Sequence, residues 1–451
     1  MKGIKIYGLD AWVAHGSGLM APAINLDNAA TTPPFADVVQ EILQQMQYYG
    51  SVGRGTGQKS KHSSVVYEEG RKTVLDFVGA DSDDYTVFYT NNTTDGINKL
   101  AGALTSGGWA ADGGRGDVLV VSTRMEHHAN DLPWRGRAHV AYAEVDADGR
   151  LILEDFDRIL RRREYKHMTK YVTVTAASNV TGYVNDVHAI ARVAHRHGAK
   201  IIVDGAQIVA HRQFNMRGRP GFDEDIDFFA FSAHKMYSPF GGGAVVGRKD
   251  LLNAHLPQFC GGGMVITVTD DAVVYAQAPE LYEAGSPNVP GVVGMLKAME
   301  ILQNVGFNRI VQHEQKLMRR ALDGLLKINN VKLYGDNENI TDRVGILVFN
   351  IKGRQPADVA AELASRAGIA VRHAAFCAHP YVRRLEGQAP HELCGLTEPP
   401  TPPTGMVRAS LGIYNTKEDV DLLVRTVKEI AGDAALGVSL GTQAKMPYDR
   451  A

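Results

Sequence analysis

The chain has 451 residues, of which 44% are hydrophobic and 22% are charged, and its formal net charge at pH 7 is −2. This length exceeds what one hydrophobic core usually serves, so we expect more than one domain. The near-neutral and evenly spread charge argues against a nucleic-acid-binding protein and against a protein held on an acidic membrane surface.

Cysteine usage and the N-terminus point to the reducing cytoplasm. Cys260, Cys377 and Cys394 are too few and too scattered for a disulfide framework, and they form no Cys-x-x-Cys pair. The first ten residues lack the apolar core of a signal peptide, and no apolar run reaches the length of a membrane span. We therefore expect a soluble cytoplasmic protein.

Short β-rich runs alternate with helical patterns in the middle of the chain. The predicted strands cover residues 85–90, 117–123, 171–175, 200–204, 227–232 and 242–248, and the last could run antiparallel. The predicted helices between them cover residues 94–104, 154–163 and 187–197. Strands that are apolar on both faces and separated by helices favour a mostly parallel α/β sheet.

The pattern changes after residue 288. Two long helices are predicted over residues 289–305 and 310–328, and a second β/α segment follows them. Its strands lie near residues 344–351 and 407–411, with a helix at residues 357–367. This segment predicts a smaller C-terminal domain, and the Pro-rich residues 398–403 predict a surface loop.

Two charged residues stand where predicted strands end, and ligands of open α/β sheets bind beyond such ends. A buried carboxylate at Asp204 could pair with a protonated pyridine nitrogen, although a helix cap is the plainer interpretation. Lys235 follows an apolar strand, where a lysine with a lowered pKa can form a Schiff base. A solvated surface lysine is the alternative there.

Other polar groups stand at or just after the ends of predicted strands. Thr93 and Thr94 open a helix, whose N-terminal N–H groups and hydroxyls can bind an anion, although an ordinary N-cap is also common there. Ser232 and His234 flank Lys235 and could hold a phosphate. His127 follows another strand and could stack on a cofactor ring, or it could be a structural histidine. Its neighbour His128 points elsewhere, so the pair predicts no metal site.

Eight short segments occur in one order along the chain. They read LDNAA, NNTTDGIN, MEHHAN, SNVTG, DGAQ, FSAHK, YEAGSPN and VRASLGIYNT, beginning at Leu26. In this order they resemble the class V aminotransferase-fold enzymes, which use pyridoxal 5′-phosphate (PLP), and most of all the cysteine desulfurase and selenocysteine lyase branch. Eight ordered segments are far more specific than any one of them, so the resemblance outweighs the plainer interpretations above.

The resemblance implies an α/β architecture, the PLP-dependent transferase fold type I. A large PLP-binding domain with a mostly parallel seven-stranded sheet would cover residues 36–290. A smaller α/β domain that carries Cys377 would cover residues 291–451, and residues 1–35 would pack with it. The resemblance also implies a homodimer with composite active sites.

The resemblance assigns roles to individual residues. Lys235 would bind the cofactor covalently, Asp204 would meet the pyridine nitrogen and His127 would stack on the ring. Asn179 and Gln207 would approach the ring hydroxyl. The phosphate would be bound by Thr93, Thr94, Ser232 and His234, and the neighbouring subunit's phosphate by Gly285 and Ser286. The substrate would be bound by Arg408, Asn179 and Arg372, with Arg408 on its carboxylate.

Cys377 decides the reaction. Desulfurases place a nucleophilic cysteine five residues after an arginine similar to Arg372, and a loop thiol near cations can ionise. The family commonly has Thr-Gly-His-His between the two, whereas residues 373–376 here read His-Ala-Ala-Phe. A buried, inert cysteine is the alternative. Cys394, in the long stretch 381–405, could resolve an oxidised Cys377 or be incidental.

The predicted reaction converts L-cysteine to L-alanine and leaves the sulfur on Cys377 as a persulfide, for transfer to an acceptor protein or thiol. A class V aminotransferase, an epimerase or a C–S β-lyase would use the same lysine without a sulfur-accepting cysteine. A protein that keeps the fold only to bind a partner is the second alternative, which the presence of Lys235, Asp204 and Arg408 argues against.

Overall fold

A computed structural model describes residues 3–14, 16, 18, 20–53, 55–105, 117–388 and 404–435, without the side chains of 433–435. Cys394 and the Pro-rich residues 398–403 lie outside this range. The N-terminal part contains the hairpin strands β1 (Trp12–Ala14) and β2 (Met20–Pro22), then β3 (Ile24–Asn25) and the helices α1 (Ala36–Met46) and α2 (Gln58–Phe77).

The middle of the chain forms the predicted α/β sheet. Its elements are β4 (Tyr85–Thr90), α3 (Thr93–Leu104), β5 (Val118–Thr123), β6 (His139–Ala143), α4 (Leu153–Leu160), β7 (Thr169–Thr175), α5 (Val187–Arg196), β8 (Lys200–Asp204), β9 (Phe228–Ser232) and β10 (Gly243–Arg248). The sheet has seven strands in the order β4-β10-β9-β8-β7-β5-β6. Every neighbouring pair is parallel except the two pairs made by β10, which confirms a mostly parallel sheet with one antiparallel strand.

Burial on both faces explains why most of these strands could be predicted. Every residue of β4, β5 and β9 is buried, because helices cover both sides of the sheet. The exception is β6, which lies at the edge of the sheet and is mostly half-buried. Its sequence, HVAYA, therefore lacks the apolar run that marks its neighbours, and the strand was not predicted.

The rest of the chain begins with α6 (Lys249–Asn253) and the exposed hairpin strands β11 (Val265–Val268) and β12 (Val273–Tyr275). The next elements are α7 (Val289–Val305), α8 (Phe307–Leu325), β13 (Val331–Tyr334), β14 (Ile346–Ile351), α9 (Pro356–Ala367), β15 (Ile369–Ala370), β16 (Arg372–Ala374), α10 (His379–Leu385), β17 (Met406–Ser410) and α11 (Lys417–Ala435). Helix α8 begins three residues earlier than predicted, because Gly306, with φ of 86°, separates it from α7.

A second, antiparallel sheet of four strands lies in the C-terminal part, in the order β13-β14-β17-β16. It has its own apolar core, built mainly from α8, α9, α11 and these strands. The N-terminal segment joins this core, since β3 pairs with β15 and Leu26 is fully buried there. The domain boundaries at residues 35 and 290 stay a prediction.

Candidate active site

A cavity of about 750 Å³ lies where the carboxyl ends of the parallel strands face β16 and β17. Most of the predicted site residues line it: Thr93, Thr94, His127, Asn179, Asp204, Gln207, Ser232, His234, Lys235, Arg372, Cys377 and Arg408. Gly285 and Ser286 do not; both are exposed on the surface outside the cavity. The sheet topology thus brings together residues that are up to 315 positions apart, from Thr93 to Arg408.

One end of the cavity is formed by the start of α3 and the end of β9. The N–H of Thr93 donates to Ser232 Oγ over 2.7 Å, and the Thr93 hydroxyl lies 2.7 Å from the same atom. Gly243, which starts β10 between these segments, has no room for a side chain: a Cβ would lie 2.5 Å from the Phe231 carbonyl oxygen and 3.0 Å from Asn92 Cα. The result is a group of hydroxyls and N–H groups at a helix N-terminus, which favours an anion.

Asp204 and Lys235 lie in the interior of the cavity. Burial raises the pKa of Asp204, and an N–H from Ala206 and the charge of Lys235 only partly oppose this effect. Burial lowers the pKa of Lys235 to about 8, although the charge of Asp204 acts in the opposite direction. The amine of Lys235 is therefore unprotonated at a much lower pH than a surface lysine, as a nucleophile or base requires.

Two of the histidines that line the cavity, His127 and His234, have lowered pKa values. Burial, and then the charge of Lys235, lower the pKa of His127 to about 3. Its Nδ1 accepts a hydrogen bond from the N–H of Ala129 over 3.0 Å, so the ring proton is on Nε2. The same two causes lower the pKa of His234 to about 4. The hydroxyl oxygen of Thr31, a residue that sequence reasoning missed, lies 3.3 Å from His234 Nδ1.

Cys377 is exposed in the loop between β16 and α10 and lines the cavity, so the alternative of a buried cysteine is wrong. Two hydrogen bonds hold this loop. His128 N–H donates to the Cys377 carbonyl oxygen over 2.7 Å, and Asn179 Nδ2 donates to the Phe376 carbonyl oxygen over 2.7 Å. Ala374, Phe376 and Cys377 all adopt left-handed backbone angles, with φ of 89°, 53° and 54°, which non-glycine residues adopt only when their surroundings hold them there.

Arg408 is buried in β17 and is only partly satisfied. Its Nη1 donates to the Asn179 carbonyl oxygen over 2.8 Å, its Nη2 lies 3.2 Å from Asp27 Oδ1, and its guanidinium carbon is 4.9 Å from the centre of the Phe376 ring. Its Nε is buried with no hydrogen-bond partner in the described part of the chain. Burial lowers the pKa of Arg408 to about 10, and Asp27 opposes this change.

Asp27 is the main site residue that sequence reasoning missed. It also pairs with Arg372, whose Nε and Nη2 lie 3.0 and 2.8 Å from Asp27 Oδ2. The residue stands in the quoted LDNAA segment, but nothing in its local sequence indicates that its partners are two arginines far along the chain. His379 was also missed; it lines the cavity and packs edge-on against His128, with ring centres 4.9 Å apart.

The described ranges contain neither a candidate metal cluster nor a candidate membrane-spanning helix. No group of three or more His, Cys, Asp or Glu side chains there could hold a metal ion. Among the same residues, no helix is both long enough and apolar enough to cross a bilayer.

Comparison with known proteins gives consistent matches along most of the chain. The model of the family described as Aminotransferase class-V matches residues 24–423. A cysteine desulfurase of Haloferax volcanii is 35% identical over 413 residues, which cover 90% of this chain and 89% of the relative. An apo cysteine desulfurase structure from Thermococcus onnurineus NA1 is 30% identical with a TM-score of 0.79, covering 91% of this chain and 95% of the other. An Escherichia coli cysteine desulfurase structure is 31% identical with a TM-score of 0.75, covering 92% and 96%.

Proposed function

Since the chain belongs to the class-V aminotransferase family, whose members depend on PLP, we propose that it is a cysteine desulfurase that converts L-cysteine to L-alanine and takes the sulfur onto Cys377. One observation carries this proposal: the exposed thiol of Cys377 lines the same cavity as Lys235 and Asp204. The cysteine desulfurases that match along nine-tenths of the chain support it.

The residues of the cavity fit the cofactor. Asp204 offers a buried carboxylate for the pyridine nitrogen, and Lys235 offers an amine with a lowered pKa for the aldehyde. Thr93 and Ser232 present hydroxyls at the N-terminus of α3, where a phosphate is favoured. When bound, PLP supplies an electron sink that stabilises negative charge at the substrate Cα.

The protein's own residues would then act as follows. Lys235, unprotonated in part near neutral pH, takes a proton from the substrate Cα. Arg408, which lines the cavity, binds the substrate carboxylate through its guanidinium group. The thiolate of Cys377 attacks the substrate sulfur, so a sulfur–sulfur bond forms as the carbon–sulfur bond breaks. The electron pair of the broken bond stays on the substrate Cβ, which takes up a proton, and the proton that Lys235 removed returns to Cα to give alanine.

The remaining roles are part of the same proposal. The neutral ring of His127 is suited to stack on the cofactor, because an imidazolium there would face the charge of Lys235. Asn179 and Gln207 are proposed to approach the ring hydroxyl; their amide nitrogens otherwise donate to the carbonyl oxygens of Phe376 and Ala29. Thr94 and His234 are proposed to bind the phosphate with Thr93 and Ser232.

We also propose a homodimer with composite sites. Gly285 and Ser286 are exposed and lie outside the chain's own cavity, as residues that reach a neighbouring phosphate must. They are held by a hydrogen bond from Gly285 N–H to the Gly262 carbonyl oxygen of 2.8 Å. The persulfide would pass to an acceptor protein or thiol, and the free thiol of Cys377 fits the reducing cytoplasm.

Product analysis with L-cysteine tests the proposal. The purified protein, loaded with PLP, should form alanine and carry a persulfide on the Cys377 peptide, detectable by mass spectrometry. Cys377→Ala should lose both products. Cys260→Ala, which removes the other described free cysteine outside the cavity, should keep both.

The other outcomes identify the alternatives. Unchanged alanine formation by Cys377→Ala would exclude the persulfide mechanism. Pyruvate and ammonia in place of alanine would indicate a C–S β-lyase. A protein that stays colourless after addition of PLP would point to a non-catalytic binding role.

A further inference from the structure

Two arginines that line the cavity are direct neighbours on adjacent strands of the four-stranded sheet. Arg372 in β16 and Arg408 in β17 are direct partners in the antiparallel register, so their side chains stand on the same face of the sheet. Both line the cavity. Like charges directly opposite each other destabilise a sheet, and this pair therefore needs a counter-charge.

Asp27 supplies that counter-charge from a third segment. Its Oδ1 accepts a hydrogen bond from Arg408 Nη2 over 3.2 Å, and its Oδ2 accepts one from Arg372 Nε over 3.0 Å and lies 2.8 Å from Arg372 Nη2. Arg372 thus presents a two-nitrogen fork to one carboxylate oxygen, whereas Arg408 contributes a single and longer contact. Asp27 is engaged mainly with Arg372, and Arg408 keeps its free Nε.

The backbone fixes Asp27 in this position. Asp27 forms a parallel bridge with Ser410 at the end of β17. On its two sides, Ser410 N–H donates to the Leu26 carbonyl oxygen over 2.7 Å, and Ala29 N–H donates to Ser410 Oγ over 2.9 Å. The backbone of Asp27 is therefore held beside the two arginines.

The charges of this trio define what the pocket accepts. Two arginines and one aspartate leave a net charge of +1, which a single substrate carboxylate neutralises. Resting on the proposed function, we propose that Asp27 is a specificity-determining residue: by engaging Arg372 it leaves Arg408 as the arginine of this pair that is available to a substrate carboxylate, so that the site prefers amino acids with an uncharged side chain over those with a second acidic group.

Binding of two amino acids tests this proposal. L-alanine has one carboxylate and L-aspartate has two, and the absorbance change of bound PLP on their addition gives a dissociation constant for each. Asp27→Asn should release Arg372, so the affinity for L-aspartate relative to L-alanine should rise about tenfold, which corresponds to about 1.4 kcal/mol. The double variant Asp27→Asn/Arg372→Gln should return this ratio to within twofold of the wild type.

A matched control separates this effect from general damage. Asp421 in α11 forms an ion pair with Arg320 in α8, at 2.5 and 2.7 Å, outside the cavity. Asp421→Asn therefore removes the same charge from an aspartate–arginine pair elsewhere, and it should leave the ratio of L-aspartate to L-alanine affinity unchanged. If Asp27→Asn leaves the ratio within twofold of the wild type, or if the double variant keeps the raised ratio, the proposal is wrong.

A second variant decides the case if Asp27→Asn does not fold. Arg372→Gln leaves Asp27 against Arg408 alone, with a net charge of zero, and should weaken L-alanine binding about tenfold; unchanged binding would overturn the proposal. These measurements need no turnover. If the wild-type protein binds both amino acids but forms no alanine from L-cysteine, the desulfurase function is refuted. The binding ratios of the variants still test the role of Asp27.

Discussion

Asp204 ends β8, Lys235 lies just beyond the neighbouring parallel strand β9, and the charge of the first acts on the amine of the second. Burial lowers the pKa of Lys235 to about 8, and Asp204 keeps it from falling further. The same two residues are proposed to hold opposite ends of one cofactor ring. The distance between strand ends therefore sets both the fit of the ring and the protonation of the lysine.

The first prediction concerns the pH dependence of Lys235. Only the neutral amine attacks an aldehyde, so the rate at which the apo-protein binds PLP covalently should rise with pH and level off above about 8. Borohydride trapping and mass spectrometry of the Lys235 peptide measure this rate. Lys249→Ala, which removes an exposed lysine, should give the same curve. A midpoint near the ordinary lysine value of 10.5 would contradict the prediction.

Asp204→Asn should shift that midpoint. The charge of Asp204 raises the pKa of Lys235, so its removal should lower the midpoint below 8. The same trapping experiment measures the shift. A midpoint that stays in place or moves upward would show that the two groups do not interact as the structure indicates.

Glu126 gives a prediction about stability. Burial raises its pKa to about 8, although Thr123, Asn130 and the N–H of Thr175 donate hydrogen bonds to it. Between the ordinary value of 4.5 and about 8, the folded state keeps a proton that the unfolded state loses, so stability falls as pH rises.

The free energy of unfolding of the wild type, minus that of Glu126→Gln, should therefore fall across this window by on the order of 1 kcal/mol per pH unit. Denaturant titrations at several pH values measure it. The same titrations on Glu68→Gln, which changes an exposed carboxylate, are the control. A difference that is flat or rises with pH would mean that Glu126 is ionised in the folded protein.

Gly405 gives a prediction about the cysteine loop. A Cβ on Gly405 would lie 2.5 to 2.7 Å from backbone atoms of Ala374, the first of the left-handed residues before Cys377. Gly405→Ala should lower the free energy of unfolding by about 1–3 kcal/mol through this clash. The positive φ of Gly405, 87°, should lower it by roughly another 1–2 kcal/mol. The variant should also form alanine more slowly.

Gly387→Ala is the matched control, because Gly387 also has a positive φ, of 74°, but nothing lies within 4 Å of its Cβ position. It should lose stability by the backbone cost alone. Equal losses in the two variants, measured by thermal unfolding, would show that the contact with Ala374 is unimportant.

The composite site predicts complementation between subunits. Lys235→Ala and Ser286→Trp should each be nearly inactive. When an equal mixture of the two is refolded, half of the dimers contain one chain of each kind, and each such dimer has one intact site. The mixture should therefore recover about a quarter of the native sites. Assays of alanine formation measure the recovery. Lys235→Ala mixed with Cys377→Ala should restore nothing, because both residues line the same chain's cavity. Absence of recovery in the first mixture would contradict the composite site.

Much of the sheet could be predicted because its strands are short, apolar and buried on both faces. Residues at or just beyond their carboxyl ends, such as Asp204 and Lys235, could then be placed at one edge of the sheet by topology alone. The half-buried strand β6 could not, since an edge strand lacks that signal. The role of Asp27 could not be predicted either. Its partners Arg372 and Arg408 lie 345 and 381 residues away, and only the folded chain brings the three charges together.

The two hydrogen bonds that hold the cysteine loop have a consequence for sulfur delivery. Both donors, His128 N–H and Asn179 Nδ2, follow strands of the seven-stranded sheet, whereas the loop itself continues from β16 of the smaller sheet. The loop is therefore bonded to both halves of the molecule, with Cys377 lining the cavity. Under the proposed function, we therefore expect the sulfur acceptor to reach Cys377 in the cavity, without an outward movement of the loop.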